Sequence, residues 1–260
     1  MLRLLSGLVI IAVTLAAVLF LPAWPLLAVA EAVLVLAFVE YARIADALGA
    51  NVPRVVSAVA AMVVCAAMAL SLPLELPLVA ATLSIGALAV GARVPGPAVL
   101  ADVAVACFPM LYLGLPLGAL VALHSTFGAA AVLLLLATII VSDTAQYYTG
   151  RSLGRHKLSP LVSPKKTVEG ALGGFVIAPA VAAAAGRWWL PQVPTGRLLL
   201  IAFALVGLGI AGDLFESLLK RSAGVKDSSA LIPGHGGVLD RIDALLFAAP
   251  AFYLFLRYGG

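Results

Sequence analysis

The chain has 260 residues, of which 63% are hydrophobic and 11% are charged, and its mean hydropathy is +1.15. A soluble domain carries about 25% charged residues, so this composition excludes an ordinary soluble protein and indicates an integral membrane protein. The formal net charge of +4 is typical of basic loops on the cytoplasmic side of a membrane, and we expect no nucleic acid among the partners.

Apolar segments recur along the whole chain, so the sequence predicts one membrane-embedded domain over residues 1–260. This domain would have N-terminal helices in 1–126 and its more polar helices and loops in 127–260. Because about 20 apolar residues cross a bilayer as one helix, we predict an all-α polytopic fold with about nine transmembrane helices. The first apolar run is longer than that of a signal peptide, so we expect an uncleaved first span. The predicted spans are 4–21, 24–42, 55–72, 76–92, 98–121, 127–148, 170–188, 197–219 and 239–256.

The basic residues are distributed unevenly between the loops that these spans would create. With the N-terminus inside the cell, 13 of the 16 lysine and arginine residues fall on the cytoplasmic side, as the positive-inside rule requires. The loops after spans six and eight then lie on that same side, where they can build one site. We therefore expect a protein of a bacterial-type inner or plasma membrane whose active site faces the cytoplasm.

Two acids, Glu31 and Asp102, lie inside apolar runs of the first half of the chain. A carboxylate is costly in that environment and is often functional. Since neither acid has polar neighbours in sequence, we expect each to be protonated or paired within the helix bundle. Cys65 and Cys107 also lie in apolar runs, where a thiol usually serves as a small packing group.

One stretch near the C-terminus, residues 217–243, is polar and crowds both signs of charge together. It reads SLLKRSAGVKDSSALIPGHGGVLDRID. A membrane protein with few charges elsewhere is expected to do its chemistry where they cluster. The candidate site residues in this stretch are Ser217, Lys220, Arg221, Lys226, Asp227, His235, Gly236, Gly237, Asp240, Arg241 and Asp243.

Helical spacing places several of these polar groups on common faces. Span eight carries polar residues at i, i+3, i+4 and i+7, namely Asp213, Glu216, Ser217 and Lys220. Acids beside a basic loop suit Mg²⁺, which takes oxygen ligands and commonly bridges phosphates. Glu216 and Lys220 are alternatively an intrahelical ion pair.

The loop before span nine combines acids with glycines. Asp240 and Asp243 are three residues apart on a helix, so both carboxylates can face one ion. Gly236 and Gly237 would let the backbone approach an anion closely. His235 is a candidate ligand, a candidate acid, or a hydrogen-bonding residue that fixes the loop.

Two segments upstream carry further candidates. Asp143 and Gln146 lie on one polar face at the end of span six, where Asp143 is a candidate substrate or metal contact. A lysine pair then precedes span seven and could hold a polyphosphate at a helix N-terminus. The alternative is ordinary positive-inside charge with an N-capping threonine. The candidate residues of this second segment are Ser163, Lys165, Lys166 and Thr167.

The polar stretch resembles the signature of the phosphatidate cytidylyltransferase (CDP-diacylglycerol synthase) family. That signature runs Ser, two residues, Lys-Arg, four residues, Lys-Asp, a spacer, Pro, one residue, His-Gly-Gly, two residues, Asp-Arg, one residue, Asp. The chain fits it throughout, from Ser217 to Asp243. The upstream Asp143, 163–167 and Asp213 elements are also similar to family features, whereas Gln146 stands where the family pattern has a small apolar residue.

This resemblance implies transfer of CMP from CTP to phosphatidic acid, giving CDP-diacylglycerol and pyrophosphate in phospholipid biosynthesis. It implies that Asp213, Asp240 and Asp243 hold Mg²⁺, with a second cation as an option. On this assignment Asp240→Asn would abolish Mg²⁺-dependent activity while the fold persists. The residues that would neutralise triphosphate or phosphatidate are Lys165, Lys166, Lys220 and Arg221, with Lys226 and Asp227 supporting the loop.

The partners that this function implies are CTP, phosphatidic acid and membrane lipids, and a homodimer is one assembly considered. The nearest alternatives are a CTP-dependent lipid kinase and a cytidylyltransferase for another lipid phosphate. A different class is a membrane transporter that uses Glu31 and Asp102. Its expected sequence sign, a matched pair of broken helices in the two halves, is not evident.

Overall fold

The computed structural model describes residues 2–92 and 94–259 and is a bundle of helices with one small hairpin. Arg93 and the side chain of Arg3, which the charge count assigns to the cytoplasmic side, lie outside this description. Within the described residues, each predicted span corresponds to one helix, so the all-α prediction is confirmed. The helices are α1 (Leu2–Phe20), α2 (Ala23–Ala47), α3 (Arg54–Ala69), α4 (Glu75–Ala92), α5 (Val99–Phe127), α6 (Ala129–Leu153), α7 (Val168–Trp189), α8 (Thr195–Ser222) and α9 (Leu239–Tyr258).

The predicted count of nine membrane crossings is not confirmed. In the part of the chain that the structure describes, six helices are long and apolar enough to cross a bilayer, namely α2, α4, α5, α6, α7 and α8. The described apolar part of α1 (Ser6–Phe20) and α3 are shorter. Helix α9 is 20 residues long, but three charged residues lie at its start. Its first turn therefore belongs to the polar site rather than to the hydrocarbon.

A two-stranded antiparallel hairpin joins α6 to α7, which the all-α prediction missed. Its strands are β1 (Lys157–Ser159) and β2 (Ser163–Thr167), with Lys157 opposite Thr167. The sequence analysis treated this segment as a loop because such short strands show no sustained alternation of apolar and polar residues. Strand β2 runs directly into α7, and the Thr167 hydroxyl accepts a hydrogen bond from Gly170 N at 3.1 Å. The alternative interpretation of Thr167 as an N-cap is thus confirmed.

Helices α6 and α7 pack closely because glycines line their contact. A Cβ atom built at Gly170 would lie 2.8 Å from the carbonyl oxygen of Gln146 and 3.3 Å from the Cα atom of Gly150. Small residues allow such backbone approach between membrane helices. The Gln146 side chain lies against Gly174 and donates to Ser142 Oγ at 2.9 Å. This packing fixes the hairpin over the end of α6.

An aromatic cluster joins helices from both parts of the chain. Phe108 and Tyr112 of α5 stack at 5.1 Å, and Phe215 of α8 meets the edge of Tyr112 at 5.4 Å. Tyr41 of α2 and Phe247 of α9 extend the cluster. Such ring contacts add about 0.5–1.5 kcal/mol each beyond area burial. The helices of 1–126 therefore pack directly against those that carry the polar stretch.

Asp102 and the two cysteines of the first half of the chain are buried or partly buried in the helix bundle. Asp102 is buried and accepts a hydrogen bond from the backbone N–H of Asn51 at 2.9 Å. The expected pairing of Asp102 within the bundle is thus observed. Cys65 is buried and Cys107 is partly buried, and both are free thiols.

Candidate active site

The ends of four segments meet on one side of the bundle. Lys166 Nζ of β2 lies 2.5 Å from Asp213 Oδ2 of α8, which joins the hairpin to that helix. Lys220 of α8 pairs with Asp240 of α9. The two loops that the sequence analysis expected to share a side therefore contribute to a single site.

Lys220 is the central cation of this site. It is buried and pairs with two carboxylates, Glu216 one turn earlier on α8 and Asp240 on α9. The predicted i, i+4 pair of Glu216 and Lys220 is confirmed. An ammonium group has three N–H donors, so Lys220 keeps one donor beyond these two partners. These two ion pairs fix all three side chains in position.

Asp240 uses both carboxylate oxygens within the protein. Its Oδ1 atom pairs with Lys220, and its Oδ2 atom accepts from Gly237 N at 2.7 Å and from Ser228 Oγ at 2.9 Å. The Ser228 backbone N–H also donates to Oδ2, at 3.1 Å. These contacts make Asp240 an anchor of the 226–238 loop, and its expected role as a metal ligand stays a prediction.

Gly236 and Gly237 both lie against the Asp240 carboxylate. Gly236 has a φ of +81°, and a Cβ atom there would lie 2.6 Å from Asp240 Oδ2. Both the backbone conformation and the space therefore require glycine. The expected close approach of backbone to an anion is present, with the protein's own Asp240 as that anion.

Three further carboxylates face one another beside this network. Asp243 interacts electrostatically with Asp213 and with Asp143. Asp213 accepts from Ser217 Oγ at 3.3 Å through the oxygen that Lys166 does not contact, and Asp243 Oδ1 accepts from Ala244 N at 2.7 Å. Asp143, Asp213 and Asp243 are named below as the acid group.

The acid group fits a divalent cation only in part. Among the residues that the structure describes, no three acid, histidine or cysteine side chains form a ready-made metal site. Mg²⁺ does not need one, because it is usually held by one or two carboxylates together with substrate phosphates and water. The donors are all oxygen, and their nearby cations are Lys166 and Arg241. The acid group thus suits a cation that arrives with a polyphosphate.

The remaining predicted cations lie at the surface around the acid group and the loop. The side chains of Lys165, Lys226 and Arg241 are exposed, and Arg221 donates to the carbonyl oxygen of Val225 at 3.2 Å. Asp227 is exposed in the loop, and Ser163 is partly buried at the start of β2. Exposed lysine and arginine side chains can reach a phosphate and form charge-assisted hydrogen bonds with it.

His235 contacts the first helix. Its Nδ1 atom lies 2.8 Å from Ser6 Oγ, which donates to the carbonyl oxygen of Pro233 at 3.1 Å. These contacts favour the loop-fixing interpretation of His235 over the ligand and acid interpretations. The start of α1 thereby touches the loop that leads into α9.

One site residue was missed by the sequence analysis. Glu40, near the end of α2, is 2% exposed and accepts hydrogen bonds from the same loop. Its only sequence sign is an acid near the end of predicted span 24–42, which also contains Glu31, and this position resembles an ordinary membrane-boundary charge. Periodicity within α2 cannot show that its partners lie near residue 230, since those contacts are tertiary.

Comparison with known proteins decides the family. The model of the family described as "Cytidylyltransferase family" matches residues 1–259. The chain belongs to the cytidylyltransferase family. The match covers both the polar stretch and the N-terminal helices, so the resemblance seen over residues 217–243 extends to the whole described fold.

Individual relatives of this cytidylyltransferase-family chain match over shorter regions. A phosphatidate cytidylyltransferase of Helicobacter pylori J99 is 40% identical over 155 residues, covering 59% of this chain and 57% of its own length. One of Bacillus subtilis 168 is 44% identical over 130 residues, covering 50% and 48%. A protein of Escherichia coli K12 with the name "Uncharacterized protein YnbB" is 48% identical over 132 residues, covering 50% and 44%. The chain thus spans about half the length of these curated relatives.

Proposed function

We propose that the protein is a membrane-bound phosphatidate cytidylyltransferase, which transfers CMP from CTP to phosphatidic acid and releases pyrophosphate. The observation that carries this proposal is the junction of Lys166 with Asp213, which places a lysine-bearing hairpin against the acid group. Cations and acids at one site suit a nucleoside triphosphate with its metal ion. Family membership and the names of the relatives from Helicobacter and Bacillus supply the nucleotide and the lipid.

The reaction needs positioning more than acid–base chemistry. A phosphate oxygen of phosphatidic acid attacks the α-phosphorus of CTP, and the bond from that phosphorus to the bridging oxygen of the β-phosphate breaks. Pyrophosphate leaves with the bonding electrons. Because the attacking phosphate is already anionic, no strong general base is required, and catalysis depends on alignment and charge neutralisation.

The cations of the site would neutralise the charge that accumulates on these phosphates. Lys165, Lys166 and Arg221 would bind the triphosphate or the lipid phosphate, and Lys226 and Arg241 would extend this surface. Lys220 would offer its third N–H to a phosphate while it holds Glu216 and Asp240. Removing water from such contacts on substrate binding would strengthen them.

The acid group would hold the metal ion. Asp213 and Asp243 would bind Mg²⁺, with Asp143 beside them or binding a second cation, whereas the oxygens of Asp240 are occupied by protein donors. When bound, Mg²⁺ neutralises phosphate charge and polarises the phosphoryl oxygens. Lys166 would then exchange its contact with Asp213 for the triphosphate.

The site would face the cytoplasm, where CTP is available and where the predicted topology puts 13 of the 16 basic residues. Phosphatidic acid would enter from the inner leaflet, so that its phosphate reaches the acid group at the membrane surface. Mass measurement of the purified protein in lipid nanodiscs would distinguish a monomer from a homodimer.

The test is product analysis with purified protein, phosphatidic acid in mixed micelles, Mg²⁺ and CTP labelled at the α- or the γ-phosphate. The proposal predicts α-label in a CDP-lipid and γ-label in pyrophosphate. A CTP-dependent lipid kinase would instead transfer γ-label to the lipid and leave CDP. Ion-driven uptake into liposomes without CTP consumption would favour the transporter. Asp213→Asn serves as the inactive control.

A further inference from the structure

Glu40 of α2 is a buried carboxylate that accepts hydrogen bonds from four donors distant in sequence. The donors are two serine hydroxyls and two backbone N–H groups: Ser229 Oγ at 2.6 Å, Ser228 Oγ at 2.9 Å, Leu239 N at 2.8 Å and Val238 N at 3.0 Å. Both carboxylate oxygens take part. Hydrogen bonds that carboxylates accept are among the stronger ones in proteins, so this contact is strong for a single side chain.

The two backbone donors lie at the start of α9. Initial N–H groups of a helix have no intrahelical partner, and a side chain usually caps them. Val238, at the N-cap position, makes no side-chain capping bond. Glu40 supplies the missing acceptors from another helix, and its negative charge also suits the positive end of the helix dipole. The position at which α9 begins is therefore set partly by α2.

The hydroxyl group of Ser228 lies between the carboxylates of Glu40 and Asp240. Ser228 Oγ lies 2.9 Å from Glu40 Oε2 and 2.9 Å from Asp240 Oδ2, so the two carboxylates share the single O–H donor of one serine. A Cβ atom at Gly237 would overlap Ser228 Oγ and both carboxylate oxygens of Glu40. The loop can therefore lie against α2 only with glycine at this position.

We propose that Glu40 is a positioning residue for the cytidylyltransferase site, an inference that rests on the proposed function. It fixes the loop between Ser228 and Leu239 on α2, so that Asp240 meets Lys220 and Asp243 faces Asp143 and Asp213. Asp240 directly follows Leu239, whose N–H is bound by Glu40. A change in this contact therefore moves the first turn of α9. The N-terminal helices thus contribute to the site as well as to the membrane anchor.

The chain offers a matched control on the same helix. Glu31 is also a partly buried acid of α2, and one of its carboxylate oxygens has no hydrogen-bond partner. Its identified neighbour is Cys65. Glu31→Gln and Glu40→Gln make the same chemical change, but only the second introduces an amide N–H₂ among backbone N–H donors. Glu40→Ala removes all acceptors, and Ser229→Ala removes a single donor with little effect on folding.

The experiment combines steady-state kinetics with hydrogen exchange of the detergent-solubilised full chain. For Glu40→Ala we expect kcat to fall about 100-fold, as a small misplacement of catalytic groups can do, with KM for CTP changed less than threefold. We expect Glu40→Gln to recover part of this loss and Ser229→Ala to show a smaller one. Exchange should rise in the peptide that covers 228–240 and stay unchanged in the peptides of α6 and α7.

Wild-type kcat together with wild-type exchange in Glu40→Ala would overturn the proposal. So would a uniform rise of exchange across α6, α7 and the loop in Ser229→Ala, since that pattern indicates general loss of structure. If the wild-type protein makes no CDP-lipid, the proposed function fails by itself. The exchange of 228–240 in the Glu40 variants still decides whether Glu40 holds the loop.

Discussion

Lys220 on α8 forms an ion pair with Asp240 on α9, 20 residues further along the chain. Glu216 pairs with the same ammonium group, and its side chain is completely buried. A cation between two buried acids is expensive to lose, because the carboxylates would remain without compensation. A change in Lys220, Glu216 or Asp240 should therefore affect both the stability of the protein and the activity of the proposed site.

Lys220→Ala is expected to lower the free energy of unfolding by about 3–5 kcal/mol, the usual cost of breaking a buried pair. Activity should fall with it, because Asp240 loses its partner. Thermal unfolding in detergent, followed by tryptophan fluorescence, measures the first effect. Arg54→Ala is the control, since Arg54 pairs with Asp46 while the two side chains are 63% and 42% exposed. An exposed pair contributes about 0–1 kcal/mol, so equal losses in both variants would contradict the prediction.

The acids of the site should separate into two classes on substitution. Asp213→Asn and Asp243→Asn should abolish Mg²⁺-dependent turnover, because these side chains face the proposed metal. Asp243→Asn should change the unfolding temperature little, whereas Asp213→Asn also loses the partly exposed pair with Lys166. Asp240→Asn should lower both turnover and unfolding temperature, since it loses the Lys220 pair and the Ser228 and Gly237 contacts. Turnover against Mg²⁺ concentration, measured beside unfolding, tests this. Full stability of Asp240→Asn would restore the metal-ligand assignment expected from the sequence.

Gly237→Ala should reduce activity strongly, because the added Cβ would overlap Ser228 Oγ and the Glu40 carboxylate. We expect a stability loss of about 1–3 kcal/mol, typical of overpacking. Gly86→Ala provides the comparison, since no atom lies within 4 Å of a Cβ built there. Gly86 lies inside α4, where alanine is the better helix former by about 1 kcal/mol. Wild-type kinetics in Gly237→Ala would show that the loop can move away from α2.

Thr167→Ala should destabilise the protein by about 1 kcal/mol, the typical loss for an N-cap. Thr167→Ser keeps the acceptor for Gly170 N and should retain most of that stability. Because the cap lies at the junction of the hairpin and α7, we also expect weaker CTP binding in the alanine variant. Unfolding temperature and KM for CTP are the measurements. Equal behaviour of both variants would place the effect in packing of the methyl group.

The proposed orientation can be tested by cysteine labelling in a background with Cys65 and Cys107 replaced by alanine. Leu161, in the hairpin turn, is 92% exposed, and Trp188, at the end of α7, is 77% exposed. In right-side-out vesicles a membrane-impermeant maleimide should label Trp188→Cys and spare Leu161→Cys until the vesicles are opened. The reverse pattern would put the site on the outer face.

Local features of the site were predictable from the sequence where they depend on short-range spacing. The helix positions, the Glu216–Lys220 pair and the Thr167 cap all follow from neighbours within four residues. The shared side of the two loops followed from counting spans and charges. Each of these rests on a pattern that one helix or one loop contains.

Other features were not predictable because they depend on tertiary contacts. The hydrogen bonds to Asp240 require the loop to bring Ser228 and Gly237 back to the start of α9. Glu40 likewise accepts hydrogen bonds from partners up to 199 residues away in the sequence. The hairpin was missed because its strands are stabilised by lying against α6 and α7 rather than by their own composition. The count of nine crossings is not confirmed, because α3 and the described apolar part of α1 are short and the first turn of α9 is charged.

The separation of Glu40 from Ser228 by 188 positions also has a consequence for biosynthesis. The ribosome delivers α2 long before it makes the serines and amides that will cover this carboxylate. Until then the carboxylate must stay hydrated at the bilayer surface, since an uncovered charge is costly in hydrocarbon. Nascent chains that stop short of α9 would therefore present Glu40 without its hydrogen-bond donors. Membrane quality control could distinguish unfinished copies by this uncovered carboxylate.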